Sequence, residues 1–597
     1  MFVVHGNLCE LSSDALLLPT RNTNNPKWFP RGPPKGCEPP AREAFTPSRR
    51  VIRLEGGAAA CGQVIWLGHL DGRFAPPDRR RDGADKPPEL AWFLEAASQF
   101  LSAAYHDLHA RGLPPRCGRA KHVLSMPVIG TGKGGARATS GEMLTALLGL
   151  LEAFVAAHDV DVALVVKTDR MFSAAQAHRR LLSRGWENKL GPRLHTAAAQ
   201  LAQLAAAERL CLFLGAGVSM GAGLPDWRQL LETLSAREEV PLDVAELVQL
   251  GTLGLPDQAA VIARRLGIAH SAAAKAGATD VAPSALGANS VGEGILAALV
   301  VDELSPRSAT GIPLYSMTHG LLAGLPVAAV VTTNYDALFE CAWRAAGTRF
   351  TVLPYENQPS DKFVLKLHGD VNRPEDIVLT RSQMLDSREQ RKALFGIVQT
   401  MLLTQHLLFV GFSLQDPNFS EVAGTVRRAL QGSSADGSDG ERAAAAASAD
   451  SAETKSASAS SSSAAAAVQP ELAGTLLTLH NRPFVAELWP EMGCVPMDLN
   501  EAKGDVPLVP NQQCARTLEI FLDKLSLDTS TGRRHLLDGD FSGVFSPEEA
   551  ALKARLRTFR ERLAANDLAR DSSGFRVVQQ MLQRLGDRGS VDSPPEV

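Results

Sequence analysis

The sequence predicts an α/β protein of two Rossmann-like, three-layer domains with parallel or mixed sheets, closed by a short helical C-terminal tail. Three observations predict it. Short apolar runs of strand length alternate with longer stretches of helical periodicity, the pattern of βα units. Two of these runs end in glycine-rich turns that lead into helices, at 130–135 and at 215–221. Three more end in polar clusters, at 332–336, 368–370 and 411–419, where an open parallel sheet forms its ligand crevice.

A chain of 597 residues has room for roughly two to four domains, each with its own core. With 45% hydrophobic and 21% charged residues the composition is that of an ordinary soluble protein. A net charge of -4 offers no basic footprint, so no nucleic-acid partner is expected. Cys9, Cys37, Cys61, Cys117, Cys211, Cys341, Cys494 and Cys514 show no CxxC spacing, which removes the zinc-ribbon pattern and a secreted disulfide framework. The expectation is free thiols and no metal. The first fourteen residues hold neither a basic n-region nor an apolar h-region, and no apolar run reaches the roughly 18 residues of a membrane span. A cytoplasmic protein without a membrane partner is expected, and a homo-oligomer is left open.

Residues 1–195 read as the first α/β unit. Strands are expected at 2–4, 15–18, 51–54, 64–67, 122–126 and 162–166, and helices at 90–111 and 141–158. Two Pro/Gly/Arg-rich segments, 22–50 and 70–88, read as long surface loops or disorder. After the strand at 122–126, Gly130, Gly132, Gly134 and Gly135 free the backbone to wrap a phosphate ahead of a helix beginning near Ser140.

With Gly6-Asn7-Leu8, Asp14-Ala15-Leu16-Leu17-Leu18 and Ile129-Gly130-Thr131-Gly132, this unit resembles the macrodomain family, whose first strands carry a GD and a DA motif and whose diphosphate loop follows a strand. The resemblance implies ADP-ribose or a related nucleotide as ligand, held by the loop of Gly130, Thr131, Gly132 and Gly134. Asn7 stands where that family has aspartate, and 19–28 lacks the Asn-Ala-Ala-Asn and polyglycine run of hydrolytic members. Binding is therefore expected rather than hydrolysis of ADP-ribose. Asn22, Asn24 and Asn25 also fit a plain turn cluster.

The second unit is expected over 205–525, entered through an alanine-rich helix at 193–208. Its first strand, 210–214, is an unbroken apolar run of the kind buried in parallel sheets, and it stops at Gly215. Gly215, Gly217 and Gly221, with Ser219 among them, outline a dinucleotide turn, although such turns also occur where glycine only permits the bend. Further strands are expected at 327–332, 363–367, 407–410, 476–479 and 484–488. Segment 432–469 is Ser/Ala/Asp/Gly-rich and reads as a disordered insertion; its serines suit phosphorylation or plain solvated filler. Helical periodicity returns at 546–562 and 574–585, within a partly disordered tail at 540–597.

The order GAGVSMGAGLPDW, TTNYD, HG and GFS resembles the sirtuin superfamily. The resemblance implies that Gly215, Ala216, Gly217 and Ser219 hold the NAD diphosphate. Pro225, Asp226 and Trp227 would belong to the loop closing over nicotinamide. Thr333, Asn334 and Asp336 would face the nicotinamide ribose and carboxamide, His368 would be the general base, and Gly411 and Ser413 would receive the adenosine side. No CxxC pair lies between His368 and Gly411, and the gap of about 40 residues is too short for a typical zinc ribbon. The TTNYD form, and Trp227 where deacylases carry phenylalanine, resemble the zinc-less branch found in NAD-depleting defence proteins.

The residue types suit the chemistry independently. Breaking the N-glycosidic bond of NAD creates an oxocarbenium-like ribose, which calls for hydroxyl contacts, a neutral polar residue and a water positioned by a base. Asn334 and His368 are the candidate catalytic pair; His368 alone also fits a core histidine capping a turn. The expected function is NAD hydrolysis to nicotinamide and ADP-ribose, with NAD as substrate, no zinc, and the first unit sensing a nucleotide. The alternatives are an NAD-dependent protein deacylase or ADP-ribosyltransferase, and, in another class, a non-catalytic nucleotide sensor or scaffold.

Overall fold

The computed structural model describes residues 1–20, 40, 44–54, 63–70, 89–131, 140–182, 186–275, 288–305, 313–430, 474–500, 509–530, 532, 534–541, 544–564 and 573–587. Gly132, Gly134, the asparagines at 22–25 and the 432–469 insertion lie outside them.

The first sheet contains β1 (Phe2–His5), β2 (Ala15–Thr20), β3 (Val51–Arg53), β4 (Val64–His69), β5 (Val123–Pro127) and β6 (Asp161–Val166), in the order β1-β6-β5-β2-β4-β3. It is mixed, with β3 antiparallel to β4. The second sheet contains β7 (Leu210–Leu214), β8 (Ala329–Thr332), β9 (Thr351–Leu353), β10 (Phe363–Lys366), β11 (His406–Val410), β12 (Gly474–Thr478) and β13 (Gly493–Pro496). Its order is β13-β12-β11-β7-β8-β10-β9, and every pairing is parallel. Strands covered on both faces bury every side chain, which is why Leu210–Leu214 is apolar throughout.

The two sheets share a layer of helices. Leu194 and Leu201 of helix Trp186–Ala206, Leu321 of helix Met317–Ala323, Trp343 of helix Leu338–Ala345 and Phe521 of helix Asn511–Thr529 meet one face of each sheet in a single core. The outer face of the first sheet is covered by helices Leu90–Ala110 and Ser140–Ala157. The latter has the length and apolarity of a membrane span, but Met143, Leu144, Leu147, Leu148 and Leu151 are consumed by this core. Helix Lys392–Thr404 and residues 417–430 cover the outer face of the second sheet. A fourth core, not separated in the sequence, gathers helices Trp227–Ser235, Val244–Leu250, Leu255–Lys275 and Ala288–Leu304 around Ile262, Leu296 and Val300.

Two further departures concern the second sheet. Residues 484–488, expected as a strand, lie in helix Pro483–Leu488, with Phe484 and Leu488 exposed; Pro483 at its start favours the turn, and Gly493–Pro496 takes the place beside β12. The short edge strand Thr351–Leu353 was not anticipated. The tail also folds back: Phe541 and Val544 enter the core of the first sheet, and His535 Nδ1 lies 3.0 Å from Ser173 Oγ.

Charged side chains of helix Asn511–Thr529 bind it to the first unit. Arg516 makes two hydrogen bonds, 2.9 and 2.8 Å, to Asp161, Arg119 pairs with Glu519, and Arg179 donates to both oxygens of Asp523 at 2.9 and 2.6 Å. Removing one partner of a buried pair leaves the other charge poorly compensated, at a cost of about 3–5 kcal/mol. Asp523→Ala is expected to lower stability by that amount, read as a fall in the urea midpoint of the full chain; a change below 1 kcal/mol would show that the pair does not hold the units together.

Candidate active site

The chain leaves β7 towards β8 on one side and returns to β11 on the other, so the strand order reverses between β7 and β11. In parallel sheets the ligand crevice lies outside the strand C-termini at that point. Residues 215–219 follow β7 and 411–416 follow β11. Gly215 N–H donates to Val410 O and Gly217 N–H to Gly411 O, each at 3.0 Å. A Cβ on Gly215 would lie 2.5 Å from Gly411 O, one on Gly217 2.8 Å from Gly411 Cα, and Gly411 itself has φ +64°. These three glycines are required by backbone packed against backbone, whatever binds above them. Ala216 is half-buried and Gly217 exposed at the crevice edge.

The loop after β8 brings its side chains to the same place. Asn334 Nδ2 donates to Gly215 O and to Ser219 Oγ, both at 3.2 Å, which fixes the amide orientation and leaves its buried Oδ1 without a hydrogen-bond partner among the described residues. Ser219 Oγ donates to Asp336 Oδ2 at 2.8 Å, while Asp336 Oδ1 accepts from Leu338 N at 3.0 Å. Asp336, expected to face ligand, is thus a buried brace between loops. Thr333 contributes its backbone N–H, which donates to Leu214 O at 3.3 Å. Beneath Ser219 lies His319, which the sequence reading missed. Its Nδ1 accepts from Ser316 N–H, so Nε2 carries the proton and stands 3.5 Å from Ser219 Oγ. Burial pushes the His319 pKa down to about 4, so the ring is neutral at physiological pH.

His368 follows β10, adjacent to β8. Gly369 has φ +110°, and a Cβ there would lie 2.5 Å from Asp376 O, so glycine is needed for the turn. His368 Nε2 lies 3.0 Å from Asp416 Oδ2, close enough for an ion pair but without an aligned hydrogen bond at that nitrogen. Asp416 was also missed, although Asp-Pro before a helix is a sequence-level N-cap pattern. Its Oδ1 accepts from the N–H groups of Asn418 and Phe419 at 2.8 and 3.0 Å. Burial works to raise the Asp416 pKa, but His368 and these N–H groups outweigh it and hold the carboxylate below its usual range.

Under both loops sits Lys366, fully buried on β10 and likewise unforeseen. Its ammonium donates to the carbonyls of Tyr335 and Asp336 at 3.2 and 2.7 Å and pairs with Glu340 at 3.0 Å and Asp370 at 2.6 Å. Burial alone would lower its pKa; Glu340 and Asp370 reverse that and keep it charged.

The remaining expected residues occupy the margins. The Asp226 carboxylate caps helix Trp227–Ser235 by accepting from Gln229 N–H at 2.8 Å, so it is committed to the fold. Trp227, like Leu224, Tyr335 and Val371, packs against the helical core, its buried Nε1 lacking a hydrogen-bond partner among the described residues, and Pro225 is half-buried beside it. Ser413 is exposed. In the first unit, Gly130 has φ +75° just past β5, with Thr131 beside it, while Gly6 and Asn7 are covered by Tyr315 of the second unit.

The Asp416 geometry gives a pH dependence. Its native pKa lies below the unfolded value of about 3.9, so its contribution is complete above that value and is lost as pH falls through the native one. Asp416→Asn is expected to flatten the fall of the urea midpoint below about pH 5; parallel profiles for variant and wild type would show that the His368–Asp416 contact adds nothing to stability.

Residues 328–465 match the SIR2-like domain family. The chain is 28% identical over 230 residues to the NAD(+) hydrolase ThsA of Bacillus cereus, covering 38% of this chain and 41% of that protein. It is 29% identical over 227 residues to the protein of the same name from Enterococcus faecium, covering 37% and 40%. Defense-associated sirtuin 2 of Bacillus subtilis is 29% identical over 122 residues, 19% of this chain and 12% of that protein. The chain thus spans less than half the length of these relatives. The match to the SIR2-like domain family takes in β8 to β11 of the all-parallel second sheet.

Proposed function

We propose that this protein hydrolyses NAD to nicotinamide and ADP-ribose in the crevice between β7 and β11. The observation that carries the reading is the buried Asn334 Oδ1, an acceptor without a hydrogen-bond partner among the described residues, held beside the glycine turn and the His368 strand end. A ribose hydroxyl supplies the donor that it lacks. The likeness to proteins named NAD(+) hydrolase, 28% and 29% identical over 230 and 227 residues, supports the same substrate.

In this reading, the backbone at 215–219 approaches the diphosphate, and Trp227 walls the nicotinamide side. As the bond from C1′ to nicotinamide breaks, the bonding electrons leave with the neutral base and positive charge develops on the ribose. A water oxygen bonds to C1′, His368 accepts the water's proton, and Asp416 stabilises the resulting imidazolium. The products are nicotinamide, ADP-ribose and a proton. Nicotinamide release is expected without any acyl-lysine peptide, and His368→Ala and Asn334→Ala are each expected to slow it by about 10²–10⁴-fold. Release that requires an acyl peptide would establish a deacylase, and transfer of label from NAD to protein an ADP-ribosyltransferase. Binding without release would establish a sensor.

For the first unit we propose nucleotide binding at the loop after β5, supported by Gly130 at positive φ ahead of helix Ser140–Ala157. Because Tyr315 covers Gly6 and Asn7, an ADP-ribose molecule there would sit towards β5 rather than over the β1 loop. ADP-ribose added to the full chain is expected to change the rate of nicotinamide release, and Gly130→Val to abolish that change while leaving the basal rate; an identical rate with and without ADP-ribose would remove the sensing role.

A further inference from the structure

We propose that His480, Asp498 and Cys514 form a binding site for one divalent transition-metal ion of the zinc or cobalt class, past the C-terminal ends of β12 and β13. The residues come from three elements: the turn after β12, the turn after β13, and the first turn of helix Asn511–Thr529. His480 Nδ1 lies 3.4 Å from Asp498 Oδ2 and 3.9 Å from Cys514 Sγ, and the three donor atoms all lie within 4.8 Å of one another. Metal–ligand bonds of 2.0–2.3 Å in a tetrahedral site place neighbouring donors roughly 3.3–3.7 Å apart. The protein therefore holds a nitrogen, an oxygen and a sulfur close to bonding positions around one point.

The hydrogen bonds around the cluster favour the metal-ready form. His480 Nε2 faces Asn511 Oδ1 at 2.6 Å, so an acceptor fixes the ring proton on Nε2 and leaves the Nδ1 lone pair towards Asp498 and Cys514. The Asp498 carboxylate is oriented by Asn500 N–H, which donates to Oδ1 at 2.9 Å and leaves Oδ2 directed to the cluster. Two acceptors 3.4 Å apart repel unless a positive centre lies between them. On binding, the metal forms bonds to Nδ1, Oδ2 and Sγ, and the thiol proton passes to solvent. One thiolate and one carboxylate then neutralise the dication, which suits a site where Cys514 is fully buried and His480 half-buried. Soft sulfur with imidazole nitrogen selects against magnesium and calcium.

The site also has a mechanical consequence. Helix Asn511–Thr529 carries Arg516, Glu519 and Asp523, which bind the first unit. A metal at its first turn ties the same helix to the ends of β12 and β13, so one ion braces both sheets.

The test uses the reduced full chain, stripped with a chelator and titrated with Co²⁺. One equivalent is expected to bind with a thiolate-to-cobalt charge-transfer band and tetrahedral d–d absorption, both removed by Zn²⁺. Cys514→Ser is expected to lose the charge-transfer band. His480→Gln, which alters a half-exposed ring and spares the core, is expected to bind at least tenfold more weakly, and Asn511→Ala about 10–100-fold more weakly. Cys494→Ser is expected to bind as wild type. Zn²⁺ is expected to raise the melting temperature of the wild type but not of His480→Gln. Absence of a thiolate band, its persistence at full affinity in His480→Gln, its loss in Cys494→Ser, or an equal Zn²⁺ effect on both melting temperatures would each overturn the site.

Discussion

The close approach of two backbone turns, 215–217 against 411, is the constraint on which the rest of the second unit depends. Two N–H to carbonyl bonds of 3.0 Å join them, and glycine is needed on both sides because any side chain would enter the opposing main chain. This contact closes the floor of the crevice between β7 and β11. It also sets the height of Gly215 O, the acceptor that orients Asn334. The glycines that suggest phosphate binding in the sequence are first of all packing residues, and the phosphate reading follows only because their N–H groups and the helix after them stand at a switch point.

Below that floor Lys366 is charged and fully buried, an arrangement that is expensive unless the charge has partners. Lys366 meets this condition through four partners, two carboxylates and the carbonyls of Tyr335 and Asp336. Its position braces the TTNYD loop that carries Asn334: the carbonyls of Tyr335 and Asp336 accept from a cation buried on the neighbouring strand. His368 is oriented differently, by Asp416 from the β11 side, so its position depends on the same turn that the glycines fix. Asn334 is thus held from the adjacent strand β7 and His368 from β11, across the crevice, and such fixed positions are the rigidity that a preorganised site requires.

Most strands were legible because burial on two faces writes itself as continuous apolar runs, as in 210–214 and 407–410, whereas the short edge strands Thr351–Leu353 and Gly493–Pro496 carry no such run. Phe484 to Leu488 misled because apolar residues there are exposed on a single helical turn, where composition imitates a strand. The glycine turn, Asn334 and His368 were legible as motifs at strand ends. Asp336 and Asp226 were recognised as polar residues in those motifs, but their carboxylates serve Ser219, Leu338 and Gln229 inside the fold. Lys366 and His319 were not legible because a lone buried lysine or histidine carries no spacing pattern, and Asp416 was legible only as a helix cap, since its contact with His368 joins strand ends remote in sequence.

Segment 315–319 relates the two units most directly. Tyr315 seats its hydroxyl against Asn7, accepting from Asn7 N–H at 3.0 Å, in a space that exists because residue 6 is glycine. The next residue, Ser316, caps the helix that carries His319, and His319 reaches Ser219, which in turn holds Asn334 and Asp336. A continuous set of contacts therefore runs from the loop after β1 to the proposed catalytic asparagine within one short segment. Contiguity alone does not make a switch, since coupling requires an element with two arrangements. The fully buried Tyr315 and the shared helix layer argue that this segment has one arrangement, so a nucleotide in the first unit would act by changing the stability of that arrangement rather than by moving a hinge.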